Sequence, residues 1–174
     1  MSSLAAVVLL VASLASDALH VAVDRGPEEL VIRFELLAEA PESVVNTVSS
    51  GARIEIIYPL RVYSRRKMFP DRRIWKGEAR STVTFDAITG RYLCQLIVNG
   101  STTVSREVDS IEVARQWLTA PPAVEVPLPK GRRDAFLRVR VRAVFSSGTS
   151  WLVFPSTEGT DWVEVKLEAQ RDEE

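Results

Sequence analysis

"ARIEIIYPLRVYSRRKMFPDRRIWKGEARSTVTFD", residues 52–86, decides how the chain is read. In its first part, Ile54, Ile56, Tyr58, Leu60 and Val62 fall on one side, the period of two that marks a strand. "RIWKGEARSTVTFD", residues 73–86, runs back as a second strand, so the basic stretch between them is a turn and the pair is antiparallel. Pro59 has no N–H to give a ladder, so the first strand is expected at an edge, or bulged at that point.

Reading outward, "DAITGRY" (86–92) is a hairpin loop with Gly90 at a left-handed position. "RYLCQLIV" (91–98) is apolar on both faces, as a central strand should be, and Asn99-Gly100 forms a two-residue hairpin turn. Upstream, "LHVAVDR" (19–25) and "ELVIRFELLA" (29–38) alternate on either side of the turn cluster "DRGPEE". Downstream, "AFLRVRVRAVF" (135–145) is another long alternating strand, followed by "WLVFP" (151–155) and "DWVEVKLEA" (161–169). The segment 119–134 is a Pro-rich loop or edge segment. Two short helices interrupt the strands. One covers about residues 41–50, with Pro41 in its first turn and Gly51 as its stop. The other covers about residues 109–119, with Asp109 and Glu112 as a capping box. The pattern predicts a mainly β fold, an antiparallel two-sheet β-sandwich with two short α-helices.

The 174 residues fit one domain large enough to bury a core. A single cysteine, Cys94, rules out an intramolecular disulfide, and lying in an apolar strand it reads as a small buried hydrophobe. With His20 the sole histidine, a structural zinc site and a Ser-His-Asp or Cys-His nucleophile both lack their parts. No phosphate-cradling glycine loop, dinucleotide fingerprint or Ca²⁺ loop is present, and no cofactor or metal site is expected. The net charge of −1 argues against nucleic-acid binding. The charge is nevertheless uneven. Residues 51–80 hold nine Lys/Arg against three acids, and residues 158–174 hold seven acids against two cations.

Residues 1–18 read as a signal peptide. Leu4–Leu14 is apolar but too short to span a bilayer, and small residues at 13, 15, 16 and 18 suit a signal peptidase. No Lys or Arg precedes the run, and its alternative is a first buried strand or helix. The expected organisation is this leader, a single β-rich domain over 19–168 and an acidic tail over 169–174. The expected location is periplasmic or otherwise outside the cytoplasm, with no transmembrane span in the mature chain. Tethering by an uncleaved leader is the alternative.

The succession Tyr58-x-Leu-Arg-Val, Arg65-Arg66, Asp71-Arg72 and "TVTFDAITGRY" (82–92) resembles the domain-of-unknown-function 4390 family of exported bacterial proteins. The likeness runs over about residues 20–155. It implies an exported, small protein and no assigned activity.

Four groups of residues are candidates for function. In the basic turn, Arg65, Arg66, Lys67, Phe69, Arg72, Arg73 and Trp75 form a candidate interaction surface for an envelope protein or an anionic surface. The competing reading is a solvated hairpin end whose charges keep sheet edges apart. Arg138, Arg140 and Arg142 share one face of a strand at about 6.6 Å intervals, and are expected to form a ladder with Glu164 and Glu168. Asp86 with Thr89 reads as hairpin chemistry, and the four Trp as core or rim. The function expected is a non-enzymatic interaction or accessory module of the bacterial envelope. The alternatives are a carrier of a lipid or other apolar ligand between sheet and helices, and a carboxylate-pair hydrolase.

Overall fold

The computed structural model describes residues 18–37, 53–129, 136–146 and 158–168. The strands β1 (Leu19–Arg25) and β2 (Glu29–Leu36) form an antiparallel hairpin, with Val23 opposite Ile32 and Val21 opposite Phe34. A meander follows: β3 (Ile54–Ser64), β4 (Arg72–Asp86), β5 (Arg91–Val98) and β6 (Ser101–Val108). One helix, α1 (Ile111–Thr119), then leads to β7 (Val124–Pro127). The chain returns through β8 (Leu137–Val141) and β9 (Val144–Ser146), and ends in β10 (Glu158–Gly159) and β11 (Val163–Leu167).

These strands make two antiparallel sheets. The small one has the order β1-β2-β7. In the large one β8 and β9 share a flank of β3, with β11 and β10 beyond them, and β4, β5 and β6 extend from its other flank. The fold is mainly β, as the alternating patterns indicate. Of the two expected helices, α1 is observed, and residues 41–50 lie outside the described residues.

The inner faces carry the core. Val21, Leu30, Ile32 and Val126 of the small sheet and Ile56, Tyr58, Leu60, Val139 and Val165 of the large one are completely buried. Between the sheets the rings of Phe34 and Tyr58 lie 4.3 Å apart, a tilted aromatic pair. The helix covers the rest of the inner face, burying Ala114 and Leu118. Its last turn has no basic residue, and the large sheet supplies the partners its final carbonyls need. The Tyr58 hydroxyl donates to the Leu118 carbonyl at 2.8 Å, and the Ser81 hydroxyl to that of Trp117 at 2.7 Å.

Three expectations are corrected by this topology. The strand β3 is not an edge but the centre of the large sheet, and its pairing with β4 shifts register at Val62/Tyr63, not at Pro59. Proline is tolerated there for a local reason. The backbone N–H and C=O of Glu78, opposite Pro59, are both turned to Asn99, so the Pro59 nitrogen faces the other neighbour. That neighbour is broken at Arg142–Ala143, between β8 and β9, where no ladder bond is asked of it. The stretch 135–145 is therefore two strands and not one.

The capping box is also absent. The helix begins after Ser110, whose side chain makes no cap bond to the backbone but pairs with Glu112 at 2.6 Å. Asp109 is drawn away by Arg91, 3.0 Å from it. An oppositely charged neighbour across the sheet has outcompeted the local cap.

Candidate functional site

The outer face of the large sheet, turned away from the core, is built from the charged positions of β3, β4, β8 and β11. Cross-strand register sets them in lanes. One lane reads Glu164, Arg140, Arg61, Lys76, and the next reads Lys166, Arg138, Tyr63, Arg73. Six cations and one acid thus occupy adjacent positions. The register shift between β3 and β4 contributes: the extra residue, Ile74, brings Arg73 opposite Tyr63 and sends both Ile74 and Trp75 against the core.

Like charges set directly opposite one another across strands are unfavourable, as Arg61 and Arg140 are here. An aromatic ring meets that cost. The guanidinium of Arg61 lies 4.5 Å from the Trp162 ring centroid, that of Arg142 at 5.1 Å and that of Arg140 at 5.3 Å. The negative face of the indole thus serves three cations, the attraction expected of a ring quadrupole. Tyr63 does the same for Arg138 at 5.3 Å. Two carboxylates add to this: Arg138 pairs with Asp71 at 2.6 Å and with Glu164 at 3.4 Å, and Glu164 also reaches Arg140 at 3.8 Å. The Arg138 and Arg140 side chains remain about a third exposed. Their Nε–H groups and that of Arg142 are buried and make no hydrogen bond among the described residues. The face is therefore held in place and left with excess positive charge.

The expected ladder is half formed. Glu164 sits opposite Arg140 as proposed, but the residue opposite Arg138 is Lys166. Glu168 lies past the end of the ladder, where its backbone carbonyl accepts from the Arg25 guanidinium at 2.9 Å.

Beyond the lanes the β3–β4 hairpin ends in the basic turn. Residues 65–70 are all exposed, and Arg72 and Arg73 are exposed on the first two positions of β4. Arg65, Arg66, Lys67, Phe69, Arg72 and Arg73 therefore cluster at this end of the hairpin. Trp75 is not with them. Its ring lies over Gly77, where a Cβ would clash with it, and it packs against the core. Met68, which the sequence reading passed over, is instead the most exposed apolar residue of the tip at 89%, with Phe69 at 69%. The base of the tip is fixed by the Asp71–Arg138 pair and by the Arg65 N–H, which donates to the Phe136 carbonyl at 2.9 Å.

A hollow of about 370 Å³ lies on the outer face beside Arg61, Lys76, Glu78 and Asn99, and one of about 440 Å³ lies between His20, Phe34 and the 120–123 segment. The space between the large sheet and α1, where an apolar ligand would sit, is filled by Tyr58, Ser81 and Leu118. Asp24, Glu78, Glu107 and Asp109, like Asp71 and Glu164, each have an arginine partner. Burial pushes the Cys94 thiol up to about 11, which disfavours the reactive thiolate. Among the described residues there is no group of three or more potential metal ligands, and no helix is long and apolar enough to cross a membrane.

Arg138, Arg140 and Arg142 were legible as an alternating row, whereas Arg61, Tyr63 and Trp162 were not. Their sole sequence signal was an aromatic in strands rich in alternate arginines, and the registers that join them are tertiary. No curated protein and no solved structure matches the chain. Residues 16–151, most of the chain, match the family described as Domain of unknown function (DUF4390), and the chain belongs to that family.

Proposed function

We propose that this protein is a non-enzymatic interaction module, exported to the bacterial cell envelope, that holds an anionic partner on the outer face of its large sheet. The observation that carries this reading is the stacking of Arg61, Arg140 and Arg142 around Trp162 beside a single shared carboxylate, Glu164. Guanidinium forks suit carboxylate and phosphate groups, and side chains already held against a ring lose little further freedom on binding. Antiparallel sheets can bind partners without catalytic side chains.

Site-specific photocrosslinking in cells tests the reading. A photoreactive residue in place of the exposed Lys76, at the margin of the face, is expected to trap an envelope component. One in place of Arg33, on the small sheet, is not. The adduct is expected to disappear in an Arg61→Gln/Arg142→Gln variant and to weaken with salt. Adducts indifferent to the two arginines, or turnover of an envelope substrate by the purified protein, would contradict it.

A further inference from the structure

We propose that the tip of the β3–β4 hairpin docks on a lipid bilayer carrying anionic head groups, with Met68 and Phe69 entering the acyl boundary and the surrounding cations meeting lipid phosphates. The tip is separate from the stacked arginines, so this inference stands apart from the one above.

The argument begins with what a solvated hairpin end leaves unexplained. Charges that discourage edge pairing account for Arg65, Arg66 and Lys67, but not for two adjacent large apolar side chains held out in water, at 89% and 69% exposure. The cations are also free. None of Arg65, Arg66, Lys67, Arg72 and Arg73 pairs with a carboxylate among the described residues. The one acid of the tip, Asp71, is engaged by Arg138 at its base. Stable attachment to a membrane takes two signals, an apolar insertion and a basic patch, because either one alone is marginal. Both occur within the nine residues Arg65–Arg73.

Shape selects a bilayer over an acidic protein. The apolar pair projects from a turn anchored at its base, and a projecting pair buries itself in a fluid layer without a matching cavity. A folded partner would have to offer a pocket with acids set around it. Orientation follows as well: with the tip in the lipid, the strands of the large sheet stand away from the membrane and the arginine lanes begin directly above it.

Co-sedimentation of the full chain with phosphatidylcholine vesicles, with and without phosphatidylglycerol, provides the test. Binding is expected to be tighter to vesicles that carry the anionic lipid. It should fall about tenfold in a Met68→Ser/Phe69→Ser variant and by a similar factor in an Arg66→Glu/Lys67→Glu variant. The apolar N-terminal run contributes equally to all these chains and cancels in the comparison. These residues are exposed, so the variants should keep the parent's melting temperature. A Phe69→Trp reporter should shift to the blue on anionic vesicles and be quenched by brominated acyl chains. The proposal is overturned if Met68→Ser/Phe69→Ser binds as tightly as the parent, or if phosphatidylglycerol makes no difference. Loss on Arg61→Gln/Arg142→Gln with the tip variants unaffected would move the contact to the sheet face and also overturn it. Retention on immobilised polyglutamate without vesicle binding would replace the bilayer with an acidic protein.

Discussion

Asp86 closes the β4–β5 turn, its Oδ1 accepting from the Ile88 N–H at 2.8 Å and from the Thr89 N–H at 3.4 Å. The bond from Ile88 is the chief reason its carboxyl is held below the usual range. A carboxylate whose folded pKa is depressed contributes stability that is complete above its unfolded value, near 4, and lost as the pH falls through the lower folded value. Protection of the Ile88 and Thr89 amides from exchange, taken relative to the intrinsic rate at each pH, is therefore expected to fall below about pH 4. An Asp86→Asn variant should lose this pH dependence, and equal acid dependence in both proteins would refute the assignment. This turn, Gly90 at φ 70° and the Asn99-Gly100 pair at φ 50° and 85° were all readable from the chain. Left-handed backbone and side chain-to-amide bonds are settled within a few residues.

At the scale of elements, α1 is held by the sheet and not by its own ends. Hydroxyl groups from β3 and β4 take the last carbonyls that a helix of nine residues leaves unpaired. Tyr58→Phe removes one buried donor and leaves the Leu118 carbonyl unsatisfied, so a loss of about 1–3 kcal/mol is expected in urea denaturation. Ser81→Ala should cost a comparable amount. The double variant is expected to raise amide exchange along α1 more than along β3, because the helix is the element released. A double variant as stable as the parent would show that these bonds do not dock the helix. The helix itself was legible from Ile111, Ala114 and Leu118, but its caps were not. Asp109 is adjacent to the helix in sequence, yet it is claimed by Arg91 from another strand.

At the scale of the whole molecule, no ion pair among the described residues joins a cation of 53–80 to an acid of 158–168. Among the described residues, the basic stretch 53–80 and the acidic stretch 158–168 meet where Arg61 stacks on Trp162 and where Asp71 and Glu164 share Arg138. Trp162 therefore keeps three guanidinium groups together. Trp162→Leu is expected to lower stability by about 1–2 kcal/mol at low salt. Added NaCl should recover part of that loss by screening the exposed repulsion, whereas the parent should respond less. Identical salt dependence of the two proteins in urea denaturation would show that the ring is not what offsets the charges.

Alternation along 19–36 and 54–64 and the two-faced apolar run 91–98, together with turn residues at 90, 99 and 100, were enough to establish strands, hairpins and the mainly β class, since each depends on neighbours a few positions away. Only the folded chain decided that β3 is central, that Pro59 faces a break between β8 and β9, and that Trp75 turns inward while Met68 turns out. These outcomes depend on register between β3 and the distant strands β8 and β9, and on one extra residue at Ile74. Periodicity shows which side chains share a face of a strand. It does not show which strand lies alongside, and that pairing is what sets Arg61, Arg140 and Arg142 around a single indole.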